Sequence, residues 1–165
     1  MTWKKLFSLW YNVGMESGFY ILVAFTLGFV LAQVAKLLTA FVRQKFKISF
    51  DEIKYWMMRS GGMPSGHSAS FIAATTYVGL ERGFGSLEFA IMACMAMIIL
   101  YDAINVRYAV GEQGKTMNKI LAKAHKELGM VKIVEGHTVQ EVIVGSILGI
   151  LIGIITWAVA HGGWI

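Results

Sequence analysis

Two histidines are spaced so that each could place an imidazole at the start of a helix. His67 closes the segment Pro64-Ser-Gly-His67, which holds the only proline of the chain. Glycine lets the backbone approach a ligand closely, and proline suits the first turn of a helix. The N–H groups and the dipole at such a helix start favour an anion. The segment therefore predicts an anion site beside a titratable histidine; the alternative is a turn between two helices, with His67 as a polar cap.

The second histidine, His137, lies four residues before Glu141, so both side chains fall on one face of a helix. A carboxylate there can hold one imidazole N–H and fix the tautomer of the ring. The other nitrogen is then available as a nucleophile or base. Gly145, Gly149 and Gly153 continue the same face, which predicts that the pair points inward. The alternative is a histidine at a helix start with a neighbouring surface glutamate.

Lys36, Asp102 and Arg107 lie within or beside apolar segments, where an ionisable group is costly and is by default a functional candidate. Arg107 can bind a phosphate bidentately; the alternative is an arginine that reaches the lipid headgroups. In a regular helix Arg107 is rotated from Asp102 by most of a half-turn. In such a set the cations would hold an oxyanion, one histidine would attack phosphorus and the other would protonate the leaving oxygen. These residue types therefore predict a metal-free route to phosphoester hydrolysis.

The composition is that of an integral membrane protein. Hydrophobic residues make up 56% of the 165, charged residues make up 15%, and the mean hydropathy is +0.60. The one cysteine, Cys94, excludes an internal disulfide. The net charge of +5 fits basic residues at a lipid surface better than a nucleic-acid partner. We therefore expect one domain over residues 1–165, an all-α membrane bundle of about four membrane segments with short amphipathic interfacial helices.

The apolar segments that must position the candidate residues are predicted at 17–42, 65–80, 87–108 and 138–157. The second is short for a full crossing, so it either is shielded by its neighbours or re-enters the membrane. On the first segment, Lys36 lies on a face of small residues that another helix can approach closely, and Arg43 shares that face.

Amphipathic stretches flank these segments. Residues 1–15 predict an interfacial helix, and Ser49-x-x-Glu52 is a capping box that predicts a short helix after it. Residues 115–129 predict a lysine-rich surface helix suited to anionic lipid headgroups. His125 on that helix and His161 in the glycine-rich tail are interpreted as incidental.

Basic residues are unevenly divided between the two sides of the predicted bundle. If the four segments alternate, the loops 43–60 and 107–136 share one side and hold 11 of the 15 lysines and arginines. The positive-inside rule makes that side cytoplasmic. His67, Arg107 and His137 all lie at segment ends on the same side, so the candidate site is predicted to face the cytoplasm.

At Pro64-Ser-Gly-His67 the sequence resembles the type 2 phosphatidic acid phosphatase superfamily, which includes the vanadium haloperoxidases. The wider pattern is similar to its small divergent branch over roughly residues 25 to 150: Gly-Gly-Met-Pro-Ser-Gly-His, Tyr-Asp-Ala…Val-Arg and Gly-His-Thr-x-x-Glu-Val. The first superfamily motif, Lys, six residues, Arg-Pro, matches at Lys36 and Arg43, with Gln44 for the proline. The third ends at His137 and Glu141, with Glu for Asp, but its Ser-Arg is replaced by Val106-Arg107 far upstream.

The resemblance implies a membrane lipid-phosphate phosphatase that forms a phosphohistidine. His137 would be the nucleophile, Glu141 its orienting partner and His67 the general acid. The residues implied to cradle the phosphate are Lys36, Arg43, Ser65, Gly66 and Arg107. Asp102 is a supporting candidate, and Arg59 is a rival to Arg43.

The expected partners are membrane lipids and a lipid phosphate of phosphatidate, phosphatidylglycerophosphate or polyprenyl type. No nucleic acid, cofactor or metal is expected, and the glycine face leaves room for a homodimer. Two alternatives remain. One is a non-catalytic lipid-phosphate binder or transporter on the same scaffold. The other is a Mg²⁺-dependent enzyme that uses oxygen ligands from four residues, Asp102, Asn105, Glu112 and Glu141.

Overall fold

The computed structural model describes residues 3–43, 61–124, 129–131, 133 and 136–162, with the side chains of 3–16, 43 and 124 left aside. Within these residues the secondary structure is entirely helical, as the sequence predicts. A π-helical turn, Asp102–Val106, joins the third helix to the fourth. The five α-helices are α1 (Trp3–Arg43), α2 (Gly66–Arg82), α3 (Leu87–Tyr101), α4 (Arg107–Ala124) and α5 (Val139–Ala160).

Helix α2 is the centre of the bundle and packs against α1, α3 and α5. Its backbone is reached from two sides by glycines, because a Cβ on Gly28 of α1 or on Gly149 of α5 would lie only 2.7 or 2.6 Å from the Ala69 carbonyl oxygen. One turn further along, a Cβ on Gly153 would lie 2.6 Å from the Ala73 carbonyl oxygen. The prediction that the glycine face of α5 packs tightly into the centre is therefore confirmed.

Helix α2 runs antiparallel to α1 along the whole apolar part of that helix. Near the C-terminal end of α2, Ser17 Oγ donates to Glu81 Oε1 at 3.0 Å. Just before its N-terminal end, a Cβ on Gly62 would meet the Lys36 side chain at 3.5 Å. The 17 residues of α2 make it about 25 Å long at 1.5 Å per residue. Helix α2 thus extends along α1 from the level of Lys36 to that of Ser17 without turning back.

Three helical stretches are long and apolar enough to cross a membrane by themselves, and α2 lies between them. The chain is thus an integral membrane helical bundle. The first of these stretches has the predicted bounds, whereas the second continues through the π turn into α4. The stretches are Ser17–Val42, Leu87–Lys123 and Val139–Ala160.

Several predicted boundaries differ from the structure. Helix α1 is continuous from Trp3, so residues 1–15 do not form a separate helix; their place in the membrane interface stays a prediction. The lysine-rich helix begins at Arg107, not at residue 115, because the π turn continues α3 directly into α4. Its residues 125–128 and the capping box Ser49-x-x-Glu52 lie outside the described residues.

A polar cluster joins three helices at the end of the bundle opposite His67 and His137. Besides its bond from Ser17, the Glu81 carboxylate has Oε2 3.4 Å from His161 Nε2. The His161 ring also packs against the Trp157 ring, with centroids 4.7 Å apart. His161 thus has a structural contact, because the chain turns at the end of α5 so that this imidazole meets the Glu81 carboxylate of α2; the interpretation that it is incidental to the chemistry stays a prediction.

Candidate active site

Ser65 sets the start of α2. Its Oγ accepts hydrogen bonds from Ser68 N–H at 3.3 Å and from Ser68 O–H at 2.9 Å, so Ser65 is the N-cap and the helix begins at Gly66. The predicted loop leading into a helix is confirmed, although Pro64 lies before the cap rather than in the first turn. The N–H groups of Gly66 and His67 make no hydrogen bond to the described part of the chain. They form the kind of helix start that favours an anion.

Ser65 also ties α2 to α5. The Ser65 N–H donates to the Glu141 carbonyl oxygen at 3.1 Å, and a Cβ on Gly145 would lie 2.6 Å from the Ser65 carbonyl oxygen. The Ser65 residue is fully buried. Ser65 therefore positions α2 against α5, and the direct phosphate contact that the resemblance implies stays a prediction.

His137 and Glu141 meet at the start of α5. Thr138 is the N-cap, and Glu141 Oε2 accepts both from Thr138 N–H at 3.1 Å and from His137 Nδ1 at 3.0 Å. Because an ionised carboxylate only accepts hydrogen bonds, the proton of a neutral His137 lies on Nδ1. The lone pair then lies on Nε2, as a nucleophile requires. The predicted contact of this pair is confirmed.

The π turn brings Asp102 and Arg107 together. Arg107 Nε lies 2.6 Å from Asp102 Oδ2, and the Arg107 N–H bonds to the Asp102 carbonyl oxygen to close the turn. The expectation that Arg107 is rotated away from Asp102 was wrong, because it assumed α-helical geometry. A π turn spaces its hydrogen bonds five residues apart, which returns residues i and i+5 to one side.

The same turn holds His137. The Ala103 carbonyl oxygen, inside the π turn, accepts the His137 N–H at 3.0 Å. The residue before it, Gly136, passes so close to α4 that a Cβ would overlap the Tyr108 backbone nitrogen. Sequence reasoning missed this role of Gly136, although the Gly-His pair before α5 was a signal for it.

Further along α4, Asn118 fixes the returning chain. Its side-chain amide donates to the Val131 carbonyl oxygen at 2.9 Å and its Oδ1 accepts the Val131 N–H at 2.7 Å. Ile133 packs 3.6 Å from the position of a Cβ on Gly114. These contacts lay the described part of the segment before His137 along α4, and no spacing pattern in the sequence signals them.

The predicted charged groups converge on the two histidines. His67 lies within electrostatic range of Arg107, His137, Lys36 and Asp102. His137 lies within range of Glu141, Lys36 and Arg107. Four separate segments, the end of α1, the start of α2, the π turn and the start of α5, therefore supply one cluster.

Two arginine candidates cannot be placed in this cluster. Arg43 is the last residue of α1, and its side chain is outside the described set. Arg59 lies outside the described residues. Within the described residues Arg107 is the arginine that accompanies the two histidines.

Lys36 and Glu141 border a cavity of about 280 Å³ between α1, the loop before α2 and the start of α5. The Lys36 side chain is buried, 4% exposed. The cavity thus joins a buried cation to the carboxylate that holds His137. Its lining residues are Lys36, Thr39, Ala40, Gly62, Met63, Thr138, Gln140 and Glu141.

The surroundings of His137 favour its neutral form. Burial lowers the pKa of His137 below its ordinary value of 6.5. The hydrogen bond and the charge of Glu141 oppose that shift, while the Lys36 and Arg107 cations add to it. The net result is an imidazole that is neutral at pH 7 with its Nε2 lone pair intact.

The oxygen ligands of the metal-dependent alternative have separate partners. Asp102 pairs with Arg107, Glu112 pairs with Lys115 at 2.8 Å, and Glu141 holds His137. No group of three histidine, cysteine or acidic residues that could hold a metal ion occurs in the part of the chain that the structure describes.

An all-helical membrane bundle with two histidines, a carboxylate and cations at one end has the architecture of a membrane protein related to the type 2 phosphatidic acid phosphatases. The sequence profile described as the Divergent PAP2 family matches residues 17–152, and the chain belongs to that family. It is 33% identical over 141 residues to the uncharacterized membrane protein YuiD of Bacillus subtilis (strain 168), covering 76% of this chain and 86% of that protein. No solved structure matches the chain.

Proposed function

We propose that the protein is a membrane lipid-phosphate phosphatase that hydrolyses a phosphomonoester or diphosphate of a lipid through a phosphohistidine. The observation that carries the proposal is the His137 ring, whose Nδ1 is held 3.0 Å from Glu141 Oε2. The proton assignment that follows leaves Nε2 nucleophilic. Membership of the Divergent PAP2 family supports the same chemistry.

Each step has a group in this cluster to perform it. His137 Nε2 attacks phosphorus while Lys36, Arg107 and the N–H groups at the start of α2 hold the phosphoryl oxygens. The bond from phosphorus to the lipid oxygen breaks, and His67 gives that oxygen a proton. A water molecule then gives its proton to His67 and attacks the phosphohistidine, which releases phosphate and restores neutral His137.

The site is proposed to face the cytoplasm, because the sequence predicts that 11 of the 15 basic residues lie on the side of the bundle where the candidate site is. A substrate made on that side of the membrane then fits better than a carrier recycled from the other side. Lys115, Lys119 and Lys123 of α4 are exposed and would gather anionic headgroups. Membrane lipids and a lipid phosphate are the proposed partners, and a homodimer remains part of the proposal.

Purified protein in detergent should release phosphate from at least one of phosphatidate, phosphatidylglycerophosphate and polyprenyl diphosphate with EDTA present. A histidine nucleophile with cationic side chains needs no added metal for this reaction. Free phosphate is measured with and without Mg²⁺. Release that requires Mg²⁺ would contradict the histidine mechanism and favour the carboxylates, and no release under either condition would remove the phosphatase assignment.

The pH dependence of kcat/KM should have an acid limb with an apparent pKa below 6.5. As the pH falls through the lowered pKa of His137, the ring takes up a proton and loses its nucleophilic lone pair. The rate should then drop about tenfold per pH unit. The Lys36 and Arg107 cations oppose protonation of the His137 ring, as a protonated His67 would, whereas Glu141 favours it.

Replacement of Glu141 provides a control for this pH profile. Glu141→Gln removes the anion that stabilises the imidazolium, so the acid limb should move to still lower pH while the maximal rate falls. The rates are measured from pH 4.5 to pH 8 for both proteins. An acid limb above 6.5 in the wild type would contradict the assignment of His137 as the titrating nucleophile.

One observation favours a second candidate, a non-catalytic lipid-phosphate binder. The His137 side chain is only 4% exposed, which leaves a narrow approach to Nε2. A binder would use Lys36, Arg107 and the start of α2 to hold the phosphate without attack on it. The two candidates differ in whether phosphate is released and in what replacement of His137 does to bound lipid.

A further inference from the structure

The cavity beside Glu141 has polar groups that the proposed reaction does not use. Gln140, in the first turn of α5, is exposed and lines the cavity, and its amide makes no hydrogen bond within the described residues. Thr138 Oγ1 accepts the Glu141 N–H at 3.4 Å, so its O–H remains able to donate. Thr39 Oγ1 donates to the Lys36 carbonyl oxygen at 2.8 Å and can still accept. The cavity wall thus offers both donors and acceptors.

The charges of the cavity favour a neutral polar group over a second anion. Lys36 brings a positive charge to the lining, and Glu141 brings a carboxylate. Glu141 would repel a second phosphate, whereas a hydroxyl group can donate to a carboxylate and accept from an ammonium or amide. A ligand with hydroxyls on neighbouring carbons could form hydrogen bonds with the amide, hydroxyl and charged groups that line the cavity.

The cavity is adjacent to the place where phosphorus must lie. Its lining residue Lys36 lies within electrostatic range of both His67 and His137, and Glu141 of its wall holds His137. A phosphate whose oxygens are held by Lys36 can therefore extend its alcohol part into the cavity. The volume of about 280 Å³ equals that of about nine liquid waters. This volume accommodates a short polyol.

We propose that the phosphate-bearing alcohol is a polyol headgroup, and that Gln140 is a specificity-determining residue that binds its hydroxyls. This inference rests on the proposed phosphatase function and narrows its substrate class. The favoured substrates carry a phosphomonoester on a hydroxylated headgroup such as glycerol. Phosphatidate and polyprenyl phosphates, whose phosphate is attached directly to an apolar alcohol, would leave the donors and acceptors of Thr138 and Gln140 unpaired.

The binding part can be tested without turnover. Glycerol 3-phosphate and n-propyl phosphate share a carbon chain and a charge, but the second lacks both hydroxyls. Wild-type protein in detergent should bind glycerol phosphate at least about fivefold more tightly by phosphorus NMR or calorimetric titration. Gln140→Leu should weaken glycerol phosphate binding about threefold to tenfold, the effect of one lost hydrogen bond, and leave propyl phosphate within about twofold.

The matched control is Gln113→Leu, the same replacement at an exposed position of α4 away from the cavity. It should change neither affinity. Equal binding of the two phosphates by the wild type, or an equal effect of Gln140→Leu on both, would overturn the assignment of the cavity. Gln140→Asn, which keeps the amide, should recover part of the preference if hydrogen bonding is the cause.

Turnover then separates this inference from the proposed function. The same proteins are given micellar phosphatidylglycerophosphate, micellar phosphatidate with the same acyl chains, and soluble glycerol phosphate. Faster release from the first lipid, reduced by Gln140→Leu, supports a lipid polyol headgroup. Release from soluble glycerol phosphate at an equal kcat/KM would overturn the lipid source. Tighter binding of the hydroxylated phosphate without any phosphate release would support the polyol assignment and contradict the phosphatase function. Phosphate release with no hydroxyl preference in binding would support the phosphatase function and contradict the polyol assignment.

Discussion

Replacement of His137 by alanine is expected to lower phosphate release by at least about a thousandfold, since it removes the group that attacks phosphorus. The bundle should remain folded, because the bond that anchors this residue is made by its backbone N–H to the Ala103 carbonyl oxygen. The measurement combines initial rates on the best lipid with acid quenching of labelled substrate. Wild-type protein should show an acid-labile, alkali-stable phosphoryl group, and the variant should show none.

The control for this replacement is His161→Ala at the opposite end of the bundle. It removes an imidazole that contacts Glu81 and should leave turnover within about twofold, since that cluster is remote from Lys36 and His137. Retained release in His137→Ala would refute the phosphohistidine. If wild type and variant bind the lipid equally and neither releases phosphate, the non-catalytic binder is the correct function.

Gly149→Ala is expected to destabilise the bundle by about 1 to 2 kcal/mol, against the usual preference of a helix for alanine. Removing a helical glycine gains up to about 1 kcal/mol. Here the new Cβ would lie 2.6 Å from the Ala69 carbonyl oxygen and 3.1 Å from the Ala73 nitrogen. Overpacking costs roughly 1 to 3 kcal/mol, and these backbone atoms cannot rotate away as a side chain would. Thermal unfolding in detergent should show a lower Tm.

Gly18 provides the matched control for this prediction. It is also a helical glycine, in α1, but among the atoms that the structure describes, none outside its own helical surroundings would lie within 4 Å of a Cβ there. Gly18→Ala should therefore leave the Tm unchanged or raise it. A Gly149→Ala protein as stable as wild type would show that α5 can move away from α2 at little cost, contrary to the close packing described above.

Much of the fold could be read from the sequence because it depends on local patterns. The bounds of the first span follow from apolar length alone, and they match Ser17–Val42. Glycines spaced every fourth residue mark a face that can meet another backbone, which is how α5 packs on α2. The i,i+4 spacing of His137 and Glu141 likewise determines a contact within one turn of a helix.

The partner of Arg107 could not be predicted, because its position depends on a single wide turn. Regular α-helical geometry separates Arg107 from Asp102, and the π turn reverses that result. Whether a helix admits such a turn depends on what packs against it, here the His137 N–H that bonds the Ala103 carbonyl oxygen inside the turn. A propensity pattern does not contain that information.

The sequence by itself determined the residue types of the candidate site and their local pairings: the loop before His67, the capped start of α5 and a lysine on a face of small residues. Only the tertiary structure decided that these parts meet. Four segments converge because carbonyls of α2 lie against glycines of α1 and α5, and because Ser65 bonds the Glu141 carbonyl across two helices. Those contacts join residues far apart in the chain, and their geometry is fixed by packing rather than by sequence spacing.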